Sequence, residues 1–285
     1  MAVSSASVGG STLSDSLGAG GGGGTSFAGG DIRSFTGTPE VVLNLTSTNI
    51  YGMAWGDDGN KFYIVEASND RVKMYDLSTA YDISTAGSAT DLNVGGDETE
   101  PRGVAFNNDG TKMYLSGWTE QVHEYDLSTA WDISTAGAST STSISANTTT
   151  LFNITFNADG TKMFASDGGS DDIDEYALST AFDTTTATFT TNSVGPGTLA
   201  QTAGHTCNAD GTIFLVLDEV EDVIWQLDCS TGFDVSTGTV GRGMLWTGFS
   251  GLSVSNPSGL LLAPDNSALY ISDTSTDDVY KIPLS

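Results

Sequence analysis

The sequence predicts an all-β fold: a five-bladed β-propeller of four-stranded blades, closed by an N-terminal strand that completes the last blade. Three observations predict it. A unit of about 50 residues recurs five times, each unit reads as a series of short strands, and the last unit lacks a strand that the N-terminal region can supply. We therefore divide the chain into a Gly/Ser-rich N-terminal arm or linker, residues 1–36, and a propeller, residues 37–285.

The repeat is clearest around an Asp-Gly turn. Residues 103–114 (GVAFNNDGTKMY) recur as residues 153–164 (NITFNADGTKMF), and an earlier copy occupies residues 52–63. Successive turn aspartates are 51, 50, 51 and 55 residues apart, and they are Asp58, Asp109, Asp159, Asp210 and Asp265. A period near 50 residues is the length of a propeller blade.

Each unit divides into four strands, named A to D in chain order. Strand A ends at the Asp-Gly turn, a strong hairpin signal, and strand B follows it, as in residues 112–116. Strand C, residues 121–127 in unit two, alternates polar and apolar residues. A connection at residues 128–136, nearly identical to residues 78–86, leads to strand D near residues 139–146.

The fifth unit stops after strand C, at Ser285, whereas residues 40–46 (EVVLNLT) precede strand A of unit one. This segment occupies the place that strand D holds before every other unit. Pairing it onto blade five closes the ring and removes two exposed strand edges. The ring that it closes can be its own or that of a neighbouring copy.

Aligned repeats place large side chains in shared columns. The column in the C–D connection, which we interpret as packing between blades, contains Tyr81, Trp131, Phe182 and Phe233. Cys207 and Cys229 fall at apolar positions, so we expect buried free thiols and no disulfide framework. His123, on the alternating strand C, is predicted to be exposed, and His205 is predicted to face the central channel.

The charge balance is strongly acidic, with 36 acids against 9 bases and a net charge of −27. Such a surface disfavours nucleic acid and anionic membranes as partners. No apolar run approaches the roughly 18 residues of a membrane span, and no classical signal peptide is visible, so we expect no membrane insertion. The acids have two interpretations, solubility in a salty habitat, as in a halophilic or marine source, or cation binding.

One face of the predicted ring, formed by the B–C and D–A loops, carries most of these acids. The candidate binding residues on it are Asp97, Glu98, Glu100, Trp118, Glu120, Asp171, Asp172, Glu221, Asp222, Asp277 and Asp278. Such dense oxygen ligands suit Ca²⁺, but no segment has the ordered spacing of a calcium loop. We therefore predict a solvated acidic rim without a cofactor, and keep Ca²⁺ as the alternative. Trp118 is the exposed aromatic residue most suited to a receptor or glycan.

A search for catalytic residues favours a protein that is not an enzyme. The strand A segments supply small and apolar residues, and no Ser-His-Asp set, phosphate loop or Cys-His zinc spacing can be assembled. The glycine run at residues 20–24 lacks the following Lys and Ser or Thr of a phosphate loop.

Residues 109–136 (DGTKMYLSGWTEQVHEYDLSTAWDISTA) resemble a propeller repeat of structural proteins of tailed viruses and of environmental bacterial sequences. They are also distantly similar to NHL and YVTN-type propellers. The resemblance covers residues 37–285 and weakens in the last two units, where Ile213 replaces the turn lysine and Asn266 replaces the turn glycine.

The resemblance implies a non-enzymatic virion structural protein: a capsid decoration, appendage or tail component. It would bind other virion proteins through the N-terminal arm and meet a host receptor or glycan through an exposed face. The first alternative is a cell-surface or secreted adhesion propeller of a halophilic or marine microbe. The second is a lactonase-like propeller enzyme, which requires a metal in the central channel. Fold alone does not choose among them.

Overall fold

The structure, a computed structural model, describes residues 40–45, 49–193, 201–221, 223–245, 254 and 256–284. The predicted arm, residues 1–36, and the candidate residue Asp222 lie outside the described residues. Within them, twenty strands form five antiparallel four-stranded sheets, and this confirms the predicted five-bladed propeller.

Each of the first four blades runs from an inner strand A to an outer strand D. Blade one comprises β2 (Ile50–Gly56), β3 (Lys61–Glu66), β4 (Arg71–Asp76) and β5 (Thr90–Asn93). Blade two comprises β6 (Pro101–Phe106), β7 (Lys112–Gly117), β8 (Gln121–Leu127) and β9 (Ala136–Ser143). Blade three comprises β10 (Leu151–Phe156), β11 (Lys162–Asp167), β12 (Asp172–Leu178) and β13 (Ala187–Asn192). Blade four comprises β14 (Thr202–Cys207), β15 (Ile213–Asp218), β16 (Val223–Cys229) and β17 (Gly238–Leu245).

Blade five is completed from the N-terminal side, as predicted. Its strands are β18 (Pro257–Leu262), β19 (Ala268–Asp273) and β20 (Asp278–Pro283), and β1 (Glu40–Asn44) pairs antiparallel with β20 as the outer strand. The register places Val41 opposite Tyr280 and Leu43 opposite Val279, with a bulge between the two pairs. The inner strands of blades five and one are also in contact, so the ring closes within this chain.

The Asp-Gly turns have the backbone conformation that their sequence predicts. Gly110, Gly160 and Gly211 have φ values of 68°, 69° and 66°, in the left-handed region that glycine tolerates. In the last blade Asn266 replaces glycine with a φ of 58°, which its short polar side chain permits. A side-chain oxygen of the preceding aspartate accepts a hydrogen bond from the amide two residues later, as Asp109 does from Thr111 at 3.0 Å.

The apolar core lies between neighbouring blades. One cluster joins Tyr63 and Val65 of blade one to Met113 and Leu115 of blade two, and equivalent clusters follow around the ring. Strand B is covered on both faces, because a blade stands between two others. Within the described part of the chain, no helix has the length and apolar character needed to cross a membrane.

The aromatic residues of the C–D connection accept hydrogen bonds from the previous blade through their backbone carbonyls. The hydroxyl of Tyr63 donates to the carbonyl of Trp131 in blade two at 2.6 Å, and Tyr114 donates to that of Phe182 in blade three at 2.6 Å. In blade three Lys162 takes this role and donates to the carbonyl of Phe233 at 2.5 Å. The side chains also meet the previous blade: the Phe233 ring lies 6.1 Å from the Phe164 ring of blade three, and a Cβ on Gly56 of blade one would lie 2.6 Å from the Trp131 ring. These contacts agree with the interpretation of this column as packing between blades.

A second set of hydroxyl groups holds the inner strands together at the other face. Ser116 Oγ on β7 donates to the carbonyl of Phe152 in blade three at 3.1 Å. Ser272 Oγ on β19 donates to the carbonyl of Tyr51 in blade one at 2.6 Å, across the point where the ring closes. Buried hydroxyls are thus satisfied by the neighbouring blade, as buried polar groups require.

At one repeat position the inner strands approach so closely in three blades, at Gly52, Gly103 and Gly259, that a Cβ would clash, whereas blade three has Asn153 there. A Cβ on Gly103 would lie 2.3 Å from Ser116 Oγ and 2.9 Å from Asn153 Cα. The equivalent glycine of blade four, Gly204, has space, since its nearest neighbour would be Gly259 Cα at 3.7 Å.

We expect Gly103→Ala to lower the free energy of unfolding by about 1–3 kcal/mol, because a methyl group overpacks a backbone contact that cannot yield. Gly204→Ala is the matched control, and it should leave the free energy of unfolding unchanged or raise it by up to about 1 kcal/mol. Urea denaturation of both variants measures the difference. Equal losses in the two variants would contradict the close packing at the axis.

Candidate functional site

The candidate site is the face formed by the B–C and D–A loops, hereafter the acidic face. Four of its B–C loops turn through a residue with positive φ directly before strand C. Asp70, Glu120, Asp171 and Asp277 have φ values of 51°, 51°, 60° and 57°. Aspartate tolerates this left-handed conformation better than most residues, so turn chemistry accounts for part of the acidity.

A second group of acids on this face is buried and holds the loops in place. In four blades strand B ends at a buried carboxylate, and these residues are Glu66, Asp167, Asp218 and Asp273. Asp167 accepts hydrogen bonds from the amides of Thr149, Thr150 and Gly169 at 3.0, 2.9 and 2.8 Å. These bonds join the D–A loop to the B–C loop of the same blade.

Blade two has no acid at this position, because β7 ends at Gly117. Glu98, from the loop between β5 and β6, fills the space: a Cβ on Gly117 would lie 2.4 Å from Glu98 Cγ. Its carboxylate accepts from the amides of Glu100 at 3.0 Å and Thr119 at 3.2 Å, and the residue is fully buried.

The prediction of a solvated rim is therefore wrong for part of the candidate set. Glu98, Asp172 and Asp278 are buried, with exposed fractions of 0%, 5% and 9%. The physical reason is that loop amides and neighbouring side chains need acceptors where adjacent loops meet. The exposed or half-buried members are Asp97, Glu100, Trp118, Glu120, Asp171, Glu221 and Asp277.

Arg102 forms the centre of an aromatic cluster on the acidic face. Its guanidinium lies 5.0 Å from the ring centroid of Tyr51, 4.7 Å from that of Trp118 and 4.3 Å from that of Phe152. These are cation–π distances, and they fix Trp118 although half of it is exposed. Because Tyr51, Trp118 and Phe152 belong to blades one, two and three, Arg102 joins three blades. Its guanidinium also lies 3.6 Å from the carboxylate of Glu100.

A cleft of about 360 Å³ adjoins this cluster. Its lining combines aromatic, basic, acidic and hydroxyl groups from blades one and two, and includes Asn49, Tyr51, Ser68, Asp70, Glu100 and Arg102. A concave surface with convergent polar groups beside an exposed aromatic ring is suited to a polar ligand with an apolar face.

Three carboxylates meet on blade three. Oxygen atoms of Asp167, Asp172 and Asp174 lie within 4.8 Å of one another, and all three residues are buried. Burial, with the negative charges of Asp172 and Asp167, raises the pKa of Asp174 to about 7, against the opposing hydrogen bond from Thr148. These side chains supply only hard oxygen ligands.

The axial channel contains a cavity of about 190 Å³ that His205 lines, so the expected position of this residue is confirmed. Its two ring nitrogens are 2.6 Å from Ser166 Oγ and 2.7 Å from Thr155 Oγ1. Burial lowers the pKa of His205 to about 3. The imidazole is neutral, and both of its nitrogens are hydrogen-bonded to hydroxyl groups of blade three. His205 therefore links blade four to blade three.

His123 is not exposed as predicted but only 4% exposed, and burial lowers its pKa. Strand C lies between two blades, so polar–apolar alternation does not identify a solvent-facing side there. The free thiols agree better with expectation: Cys229 is buried, Cys207 is half-buried, and burial raises the pKa of each to about 12.

Sequence reasoning missed Arg102 and Asp174. Arg102 is one of only 9 basic residues and lies on an inner strand, which was a usable signal. Asp174 lies inside strand C, where a comparison of repeats reveals it: the equivalent residues are Lys73, His123, Trp225 and Tyr280.

The five antiparallel four-stranded sheets define a five-bladed β-propeller. The solved structures that resemble it include three with 8–11% sequence identity and TM-scores of 0.46–0.49. They are a putative 6-phosphogluconolactonase from Bacteroides uniformis (11% identity, TM-score 0.48), the β-propeller domain of Cps50 (Swd1) from Myceliophteria thermophila (8%, 0.49), and a functionally unknown protein from Desulfotomaculum acetoxidans (8%, 0.46).

The matched regions cover 78%, 83% and 81% of this chain and 63%, 70% and 65% of those chains, respectively. No family model and no curated protein sequence matches the chain.

The state of His205 generates a pH prediction. Its pKa is near 6.5 in the unfolded chain and about 3 in the folded protein, so the unfolded state binds more protons below pH 6.5. The contribution of His205 to the free energy of unfolding is therefore fully present above pH 6.5. Below pH 6.5 it decreases by about 1.4 kcal/mol for each pH unit. At pH 5 the loss is about 2 kcal/mol.

Denaturation of the wild type and of His205→Asn at pH 7.5 and pH 5 measures this effect. Carboxylate titration is common to both proteins, so it cancels in the difference. The decrease in stability between the two pH values should be about 2 kcal/mol smaller in the variant. Parallel pH profiles would mean that His205 is accessible to protons in the folded state.

Proposed function

We propose that this protein is a non-enzymatic virion structural protein, a propeller displayed on a capsid or tail that meets its partner through the acidic face. The observation that carries this proposal is that polar side chains near the axis form hydrogen bonds between blades. Ser116, Ser166, Ser272 and His205 bind the neighbouring blade, which favours a load-bearing ring over a reaction centre.

The position of β1 supports attachment through the preceding arm. As the outermost strand of blade five, β1 joins the ring at its periphery. An arm that precedes Glu40 can therefore bind a capsid or tail protein without crossing the acidic face or the axis. The resemblance of the repeat to tailed-virus structural proteins points to the same role.

Peptide mass spectrometry of density-purified virus particles from the source culture tests the proposal. We expect this chain to co-purify with capsid or tail proteins at a fixed stoichiometry and to be depleted from host fractions. Recovery from the host envelope alone would replace the proposal with the adhesion propeller. Recovery from the cytosol alone would also contradict a virion role.

A second candidate function, carbohydrate binding by the acidic face, is favoured by Trp118. Half of this side chain is exposed, and its ring is held by Arg102 beside the 360 Å³ cleft. An exposed indole offers a flat apolar surface for the C–H face of a sugar ring, while Asp70, Ser68 and Asn49 offer hydrogen bonds to its hydroxyls.

We expect Trp118→Ala to weaken binding to an array of immobilised oligosaccharides at least about tenfold, the effect of losing a central aromatic contact. Val220→Ala is the matched control, because Val220 is also apolar and 56% exposed, on a B–C loop of the same face. The control should bind like the wild type. No array signal with the wild type, or equal loss in both variants, would exclude Trp118 as a sugar-binding residue.

A further inference from the structure

The three carboxylates of blade three lie together because of strand geometry. Asp167, at the end of β11, is directly opposite Asp172 at the start of β12, so their side chains leave the sheet on the same side. Asp174 follows Asp172 by two residues and shares that side. The exposed fractions are 0%, 5% and 3%, so all three charges are removed from solvent.

No basic side chain in the described part of the chain pairs with this cluster. No described Lys or Arg forms an ion pair with any of its three carboxylates. Asp172 Oδ1 is buried and has no hydrogen-bond donor, although Oδ2 accepts from Asn192. A buried carboxylate oxygen without a donor carries a large desolvation penalty, which a bound cation would remove.

The other blades contain an internal comparison. In blade one the equivalents of Asp167, Asp172 and Asp174 are Glu66, Arg71 and Lys73. There Lys73 Nζ lies 2.9 Å from Glu66 Oε2 and neutralises the buried acid directly. Blade three keeps the acid and replaces both bases with aspartates. The place that the ammonium group of Lys73 occupies in blade one is therefore lined by carboxylates in blade three.

We propose that blade three binds one Ca²⁺ through Asp167, Asp172 and Asp174. Ca²⁺ takes six to eight oxygen ligands in flexible geometry, which suits carboxylates that also accept hydrogen bonds from loop amides. Thr148 Oγ1, bonded to Asp174 at 2.6 Å, orients one ligand. Because Asp167 holds the amides of Thr149 and Gly169, the ion stabilises the D–A and B–C loops of this blade. This site is independent of the proposed virion role.

Isothermal titration of the chelator-treated chain with CaCl₂, and thermal denaturation in CaCl₂ or EGTA, test the site. We expect one Ca²⁺ per chain and a higher melting temperature in CaCl₂, because a ligand that binds only the folded state stabilises it. Asp172→Asn and Asp174→Asn should each weaken Ca²⁺ binding at least tenfold.

The sign of the stability change separates a metal site from a structural role. In EGTA both variants should melt at or above the wild-type temperature, since each removes one of three repelling charges. In CaCl₂ both should melt below it. Asp126→Asn is the control for a lost acid, because the Asp126 side chain is 83% exposed on blade two, and it should bind Ca²⁺ like the wild type.

Three results would overturn the proposal. The first is the absence of stoichiometric Ca²⁺ binding to the wild type. The second is unchanged binding in both blade-three variants, or an equal loss in Asp126→Asn, either of which would place the ions elsewhere on the acidic surface. The third is equal or tighter binding of MgCl₂ in the same titration, which would contradict the assignment to Ca²⁺.

Discussion

The ring depends on hydroxyl groups that strand B extends to the next blade. Tyr63 and Tyr114 bond to carbonyls near the C–D connections, while Ser116 and Ser272 bond to carbonyls of inner strands at the opposite face. These bonds are buried, so each lost partner would leave a polar group unsatisfied. They also fix the distance between inner strands, which explains why Gly103 has no room for a side chain. Apolar packing alone, being non-directional, would leave the angle between blades less defined.

The bonds between blades involve several polar side chains near the axis. Groups that elsewhere serve as nucleophiles or bases, such as Ser166 and His205, are occupied by each other across a blade boundary. On the acidic face, by contrast, Trp118, Arg102 and the adjacent cleft lie together at the surface. Arg102 contributes both to this cleft and to the contact between blades one, two and three.

Much of the fold was predictable because the repeat copies local chemistry. The turns at Gly110 and Gly160, the aromatic column and the closing strand each follow from a pattern within one unit. The acidic face was predicted only in outline. Glu98 compensates for Gly117 across a gap of nineteen positions, a substitution visible only in three dimensions. His123 was misjudged because most of strand C lies between two blades, so polar–apolar alternation does not show which residues are exposed.

The net charge of −27 therefore combines two populations with different physics. Exposed acids such as Asp97 and Glu221 repel one another through solvent, and 0.1 M salt largely screens that repulsion beyond a separation of about 10 Å. Buried acids such as Asp167 and Glu98 are stabilised by directed bonds from loop amides, which salt affects far less. In blade three the buried acids have too few hydrogen-bond donors, since Asp172 Oδ1 has none. Asp172 and Asp174 add negative charge at the positions where blade one has Arg71 and Lys73. The acidic composition thus includes, in blade three, a buried group of three carboxylates that is distinct from the exposed acids.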